Sequence, residues 1–241
     1  MKKLLITLGV IITVALILFI LGPFYVLSEG EQSVVTRFGK IVDIQTEPGL
    51  KFKMPFVDTV SLYSSKILSW DGDAQRIPTK ENQFIYVDPT SRWIITDLQK
   101  FYETVKTVEN AELRLDDILD STVRTVISEN YLNEAVRNSN LINSTSVAED
   151  VSSIDDLEAA EKLRSLTVSD SQLESIKIGR QGLSDRMLEL AKPYTESYGI
   201  TLIDVIIRQI RYSDDLTESV YQRMIKERNQ IDEAYRAYGR G

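Results

Sequence analysis

The sequence predicts an α+β protein: an N-terminal transmembrane helix, an antiparallel β-rich region, an α/β second half and the start of a long amphipathic C-terminal helix. Three observations lead to this prediction. The chain opens on a long uncharged run, continues to Asp97 in short aromatic and β-branched segments, and then changes to helical spacing of its apolar residues.

The first element is the run Leu4–Leu27, which holds 24 consecutive uncharged residues. As a helix it would reach roughly 36 Å at about 1.5 Å per residue, more than the roughly 30 Å of the hydrocarbon core. Its end, from Phe24 onward, carries large residues where a cleaved signal peptide needs small ones. We therefore expect a retained membrane anchor and not a cleaved signal peptide.

The charges beside this run give its orientation. Lys2 and Lys3 precede it, whereas Glu29 and Glu31 follow it directly. Positive flanks favour the cytoplasmic side. The expectation is a single-pass membrane protein with a cytoplasmic N-terminus, and with the domain after residue 27 outside the cytoplasm.

Residues 28–97 form the predicted β-rich subdomain. Turn residues such as Pro48, Gly49 and Gly72 separate segments that alternate aromatic and β-branched side chains, which is the strand signature. The predicted strands are QSVVTRF, IVDI, LKFKMPF, TVSLY, FIYVD and RWIIT.

Residues 98–213 form the predicted α/β subdomain. One helix is expected from about Ala111 to Arg137, because its apolar residues keep to one face. A second helix, interrupted by Pro193, is expected before Gly199, and the following run ITLIDVIIRQI reads as a strand buried on both faces. The apolar face of the first helix consists of Leu115, Leu119, Val123, Val126 and Ile127.

An acidic insertion at residues 141–175 interrupts this subdomain. It holds eight acidic residues against Lys162 and Arg164, a local charge of 2 − 8 = −6, and it lacks aromatic residues, Gly and Pro. Such a segment has little to bury. We expect a solvated insertion, with an acidic docking arm as the alternative.

Residues 214–241 are predicted to begin an oligomerisation helix. Asp214 and Asp215 supply acidic residues for its first turn. An apolar seam follows with alternating spacings of four and three residues, broken by Glu227. A single-helix core face explains the spacing almost equally well. The candidate oligomer residues are Val220, Met224, Ile231, Ala234 and Tyr238.

The composition excludes several function classes. The chain has no His and no Cys, which removes triads with a His base, thiolate nucleophiles, disulfides and iron–sulfur ligation. The net charge of −8 disfavours a nucleic-acid binder, which needs a basic face. Neither a cofactor nor a metal site is predicted.

One enzymatic alternative needs neither His nor Cys, namely a membrane peptidase with a Ser-Lys dyad. Ser64, Ser65 and Lys66 are adjacent in the sequence. Neighbouring residues on a strand point to opposite faces, and no nucleophile-elbow pattern surrounds them. We therefore rank this alternative well below a non-catalytic role.

Several motifs in order resemble one known family. They are EGEQSVVTRFGK, PGLKFKMPFVD, YVDPTSRWIITD and YGITLIDVIIRQIRYSDDLTESVYQRMIKER. Together with the N-terminal run, they are similar to the SPFH, or band 7, family of stomatin, prohibitin and flotillin relatives. The start of the run at Leu4 and the acidic insertion resemble one of two paralogous bacterial members.

The resemblance implies a non-catalytic scaffold on the periplasmic side of the bacterial inner membrane. Its partners would be the paralogous subunit, the membrane protease FtsH and membrane lipid, in a ring or cage that limits access of substrates to the protease. Met54, Pro55 and Phe56 match a region that lies against the outer leaflet in the family. Family members continue past the helix that begins here into a closing cap, whereas this sequence ends at Gly241. A stomatin-like scaffold for another membrane partner is the alternative.

Overall fold

The computed structural model describes residues 22–141 and 175–238. Those two ranges contain nine strands and five helices. The strands are β1 (Phe24–Leu27), β2 (Glu31–Arg37), β3 (Lys40–Gln45), β4 (Gly49–Phe52), β5 (Asp58–Ser64), β6 (Leu68–Asp71), β7 (Gln75–Pro78), β8 (Phe84–Ile95) and β9 (Ile200–Tyr212). The helices are α1 (Leu98–Thr104), α2 (Val108–Glu129), α3 (Leu132–Val136), α4 (Gly179–Glu196) and α5 (Asp214–Tyr238).

The predicted β-rich region is confirmed as three small sheets. A two-stranded sheet pairs β1 with β4, a three-stranded sheet has the order β3-β2-β5, and a four-stranded sheet has the order β6-β8-β7 with β9 also pairing β8. The pairs β1–β4, β2–β3, β2–β5 and β7–β8 are antiparallel. The predicted segments FIYVD and RWIIT join into the single strand β8, whose alternating burial continues unbroken through Pro89.

The predicted C-terminal boundary of the membrane span, at Leu27, is wrong. Residues Phe24–Leu27 instead form strand β1, which pairs with β4 in an antiparallel ladder. Residues 1–21, which hold the rest of the predicted span, lie outside the described residues. Among the helices that the structure describes, none is both long and apolar enough to cross a bilayer.

The chain divides into two compact units, each built from separate stretches. Of the described residues, the first contains 22–70, 92–116 and 192–203, and the second contains 71–91, 117–141, 175–191 and 204–238. In the first unit, Val34, Trp93, Phe101 and Ile200 are among the fully or nearly fully buried residues.

A close backbone approach in the first unit requires Gly199. It has φ 73°, and its carbonyl accepts the backbone N–H groups of Thr96 and Asp97. A Cβ at this position would overlap the carbonyl oxygen of Asp97. The turn between α4 and β9 therefore admits only glycine.

In the second unit, the predicted helical face of Leu119, Val123, Val126 and Ile127 is buried, as predicted. The single helix expected to reach Arg137 is wrong in extent, since α2 ends at Glu129 and α3 follows after a break. Helix α4 runs through Pro193 without interruption.

The predicted strand at ITLIDVIIRQI is present as β9. It is not buried continuously on both faces: Ile203 and Ile206 are exposed, and the buried positions change parity between Leu202 and Val205.

The root of the acidic insertion is defined here as residues 134–140 and 176–181. The Asn140 side chain donates to the carbonyl of Ile176 at 3.0 Å and accepts the Ile176 N–H at 2.8 Å. The backbone N–H of Arg180 donates to the carbonyl of Arg137 at 2.9 Å. Residues 142–174 of the predicted insertion lie outside the described residues, and the residues that flank them are joined by these hydrogen bonds.

Candidate functional site: an apolar ribbon and an outgoing helix

The first candidate site is an apolar ribbon, defined here as strands β1 and β4 with the loop 53–57. Its register pairs Phe24 with Phe52 and Val26 with Leu50. Directly paired residues share one face of a two-stranded sheet. All four side chains are exposed, and the rings of Phe24 and Phe52 meet edge to face with centroids 5.8 Å apart. The ribbon therefore presents an aromatic and aliphatic face to the outside.

The opposite face of β1 holds the ribbon to the first unit. Leu27 is buried, and the Tyr25 hydroxyl lies 3.1 Å from the Ser33 hydroxyl on β2. One face of the strand therefore fixes the ribbon, while the other face stays uncovered among the described residues.

The predicted residues Met54, Pro55 and Phe56 lie in the loop that ends this ribbon. Met54 and Phe56 are exposed, the latter by 83%, and Pro55 is half-buried. Phe56 has φ 66°, a left-handed conformation that is unusual for a bulky residue and here coincides with an exposed ring. The structure thus places the three residues in the loop that directly follows β4.

Asp58 fixes this loop. Its carboxylate accepts the Met54 N–H at 2.8 Å and two hydrogen bonds from the Arg37 guanidinium, at 2.8 and 3.1 Å. The bonds from Arg37 and then from the Met54 N–H hold the pKa of Asp58 below its usual value. The apolar loop is therefore held in place by a carboxylate that stays ionised at neutral pH.

The residues Phe24, Val26, Leu50 and Phe52 were missed for a physical reason. Phe24 and Val26 continue an apolar run, so their hydropathy assigned them to the predicted membrane span. Leu50 and Phe52 alternate with Lys51 and Lys53, a pattern that predicts a strand with one apolar face. Only the pairing with β1 shows that this face points outward.

The second candidate site is helix α5. Ser213 precedes it and caps it, since its hydroxyl accepts the Leu216 N–H at 3.4 Å and its carbonyl accepts the Thr217 N–H at 2.8 Å. The acidic first turn predicted from Asp214 and Asp215 is present.

The predicted seam of α5 is described only at its beginning. Met224 is 58% exposed and Val220 is half-buried. Tyr221 and Ile225 add apolar surface beside Met224. The side chains of Ile231, Ala234 and Tyr238 lie outside the described part of the helix, so their place in the seam stays a prediction.

Two clefts lie among the described residues of the first unit, and their lining gives little support to a catalytic site. A cleft of about 710 Å³ between β3 and α1 is lined by charges of both signs, including Lys40, Asp43, Glu103 and Lys106. Ser64 and Lys66 line a second cleft of about 230 Å³. The Ser64 hydroxyl accepts the backbone N–H of Lys66 at 3.1 Å, so the contact between them runs through the backbone and not through the ammonium group.

Comparison with known proteins gives relatives across nearly the whole chain. "Protein HflC" of Treponema pallidum (strain Nichols) is 42% identical over 226 residues, which cover 92% of this chain and 66% of the relative. "Protein HflC" of Borreliella burgdorferi is 38% identical over 230 residues, with the same coverages. "Modulator of FtsH protease HflC" of Escherichia coli (strain K12) is 25% identical over 239 residues, which cover 96% of this chain and 71% of the relative.

The chain thus spans a little less than two thirds of the length of the first two relatives. The model of the SPFH domain / Band 7 family matches residues 25–154 and 145–240, which include all five helices described above and all of the strands except the first residue of β1. The resemblance inferred from the sequence motifs is confirmed: the chain belongs to the SPFH domain / Band 7 family.

Proposed function

We propose that this chain is a non-catalytic membrane scaffold of the HflC type, which assembles with an HflK-like paralogue around an FtsH-like protease and limits access of substrates to it. The observation that carries the proposal is the 42% and 38% identity to proteins named HflC over 92% of the chain, together with a relative named as a modulator of FtsH protease. The lack of His and Cys agrees with a role that needs no catalytic residue.

The apolar ribbon supports contact with a membrane. It follows the uncharged run directly: residues 4–21 give 18 uncharged residues, within the roughly 17–25 that span a bilayer. Exposing the apolar side chains of the ribbon to water is unfavourable, and covering them with an apolar surface is favourable. The exposed side chains are those of Phe24, Val26, Leu50 and Phe52. Its place at the end of the anchor makes the bilayer surface the nearest such environment.

Helix α5 supports assembly. Tyr221, Met224 and Ile225 form exposed apolar surface on a 25-residue helix, and burying a large apolar side chain contributes roughly 1.5–3 kcal/mol. A neighbouring subunit of this chain or of the paralogue covers such a surface by coiled-coil packing.

The membrane topology belongs to the same proposal, with a cytoplasmic N-terminus and both units outside the cytoplasm. Protease added to spheroplasts is then expected to digest the two units while a cytoplasmic marker survives. Digestion only after the inner membrane is broken would reverse the orientation.

The function is tested by reconstituting FtsH in proteoliposomes with a membrane-protein substrate. Adding this chain together with its paralogue is expected to slow degradation of that substrate, and adding an unrelated single-pass protein at equal density serves as the control. An unchanged degradation rate would favour a stomatin-like or prohibitin-like scaffold for another membrane partner.

A further inference from the structure

The outward face of the four-stranded sheet, in the second unit, carries arginine and aromatic side chains side by side. Along β8, buried residues alternate with residues that are exposed or half-buried, and the latter include Phe84, Tyr86 and Asp88. Successive residues of a strand point to opposite faces, so these three share the face that does not pack on the core. Both β7 and β9 pair with β8. Arginines from the two neighbouring strands therefore reach the same face.

Two of these arginines lie on aromatic rings. Arg76 of β7 pairs directly with Tyr86, and its guanidinium carbon lies 3.8 Å from the centre of the neighbouring Phe84 ring. Arg211 of β9 lies over the Tyr86 ring, 5.6 Å from the ring centre. A guanidinium within about 6 Å of a ring face is attracted by the ring. Both arginines are exposed, so their charges are held in place at the surface.

A third arginine on this face shows what the other two lack. Arg208 donates to both carboxylate oxygens of Asp88, at 2.9, 3.0 and 3.1 Å, and to Asp71 at 3.4 Å. Among the described residues, neither Arg76 nor Arg211 has a carboxylate or a hydrogen-bond acceptor as a partner. A guanidinium has five N–H donors, and it can bind a carboxylate through two parallel hydrogen bonds. Arg76 and Arg211 keep that capacity unused.

The spacing of these two arginines selects a kind of ligand. Because β7 and β9 flank β8, they lie two strand spacings apart, about 10 Å. Phe84 and Tyr86 lie between them, and Phe84 is 37% exposed. On an α-helix, two residues seven positions apart share one face at about 10.5 Å, with the residues three and four positions after the first lying between them. Acids at i and i+7 with apolar residues at i+3 and i+4 therefore match this face.

We propose that this surface, defined as Arg76, Phe84, Tyr86 and Arg211 and called the arginine–aromatic platform, docks an acidic amphipathic helix of a partner protein. Two carboxylates of that helix accept hydrogen bonds from the guanidinium groups, and its apolar residues cover the two rings. Contact with the rings restricts the arginine side chains before binding, which reduces the entropy lost on association. The net charge of −8 opposes a long polyanion such as nucleic acid in the same place.

The test measures binding of a fluorescent helical peptide to the full chain in nanodiscs of neutral phospholipid, by fluorescence anisotropy. The peptide has about 15 residues, mostly alanine, with Glu at i and i+7 and Leu at i+3 and i+4. One control peptide carries Gln in place of both Glu residues. A second control keeps the composition but moves the second Glu to i+5, on another face of the helix.

Binding of the first peptide and of neither control is expected. Arg76→Gln and Arg211→Gln should each weaken it roughly tenfold, because each removes hydrogen bonds to a charged group. Arg76→Lys should recover only part of the affinity, since lysine keeps the charge but not the planar pair of donors. Arg186→Gln is the matched control, since Arg186 is an exposed arginine on α4, and it should change nothing. Near-ultraviolet circular dichroism checks that each variant keeps the fold.

Four results would overturn the inference. Equal binding of the Glu and Gln peptides would show that the platform is only an apolar patch. Binding that survives Arg76→Gln combined with Arg211→Gln would place the site elsewhere on the chain. Binding that appears only after residues 142–174 are replaced by a Gly and Ser linker would make the chain's own acidic insertion the occupant. Absence of binding to every form would remove the docking site. Each of these results leaves the proposed role around an FtsH-like protease standing, because the platform does not depend on that role.

Discussion

Glu134 is expected to be the residue on which the insertion root depends most. It is only 7% exposed, and its carboxylate accepts three backbone N–H groups: Lys177 at 2.7 Å, Ile178 at 2.9 Å and Gly179 at 2.6 Å. These donors lie at the start of α4, where a helix leaves its first N–H groups without partners and favours a negative charge. One carboxylate therefore stabilises the start of the helix and the return of the insertion.

The magnitude follows from replacing Glu134 with Gln. The amide oxygen can keep two of the three N–H groups, and the amide nitrogen faces the third and leaves it unsatisfied. A buried donor without a partner costs about 1–3 kcal/mol, and the remaining bonds lose the strength that the charge gave them. We expect a loss of about 2–3 kcal/mol, or roughly 4–12 °C in Tm for a chain of this size.

The assay is thermal unfolding of the detergent-solubilised chain, followed by circular dichroism. Glu129→Gln is the matched control, because that side chain is 53% exposed and forms only a 3.3 Å ion pair with Arg186. Exposed ion pairs contribute at most about 1 kcal/mol. If Glu134→Gln shifts Tm no more than the control does, the carboxylate does not organise the start of α4.

Four further predictions follow from the same structure. First, burial by itself raises the pKa of Glu134, but the N–H groups of Gly179, Lys177 and Ile178 outweigh it and keep the pKa low. The ionised Glu134 stabilises the fold fully above the ordinary glutamate pKa of about 4.3, and this stabilisation disappears as pH falls through the lowered pKa. The difference in Tm between wild type and Glu134→Gln should therefore narrow in acid. A difference that stays constant with pH would refute this. Second, Gly199→Ala should lower the free energy of unfolding by more than the roughly 1–2 kcal/mol that a left-handed alanine costs. Gly39 also has a left-handed φ, 82°, but has open space around it, so Gly39→Ala should cost only that amount. Equal losses of the two variants in urea unfolding would contradict the overlap with Asp97. Third, replacing the 33 residues 142–174 with about six Gly and Ser residues should not lower Tm, because shortening the loop lowers its closure cost by roughly 1.5 kcal/mol; a large loss would show that the insertion packs on the core. Fourth, Met224→Asp with Ile231→Asp should shift the protein to smaller species in analytical ultracentrifugation and leave the fold intact; global unfolding would mean that the seam is an internal core face.

Local sequence signals predicted most of the elements because they act through neighbouring residues. The periodicity of Leu119, Val123 and Val126 is sufficient to place a buried helical face, and the alternation in β8 is sufficient to place a strand. Gly39 correctly marks the hairpin between β2 and β3, and Gly49 marks the start of β4. The SPFH motifs then gave the family.

What the sequence could not give depends on contacts between distant segments. Phe24 and Val26 are apolar, and nothing local distinguishes the end of a membrane span from an edge strand until β4 pairs with them. The position of Arg76 and Arg211 over the rings of β8 follows from the pairing of β8 with β7 and β9, which is a matter of register. The role of Glu134 requires α3 and the segment 177–179 to meet across an insertion of more than 30 residues.

The proposed role as a scaffold around FtsH is tested most directly by isolating the full chain from native membranes. A tagged form is cross-linked in cells, purified in mild detergent and analysed by mass spectrometry, with a tagged unrelated single-pass protein as the control. FtsH and an HflK-like paralogue are expected to be enriched with this chain and absent from the control. Recovery of neither, with the chain itself intact and membrane-bound, would contradict the account.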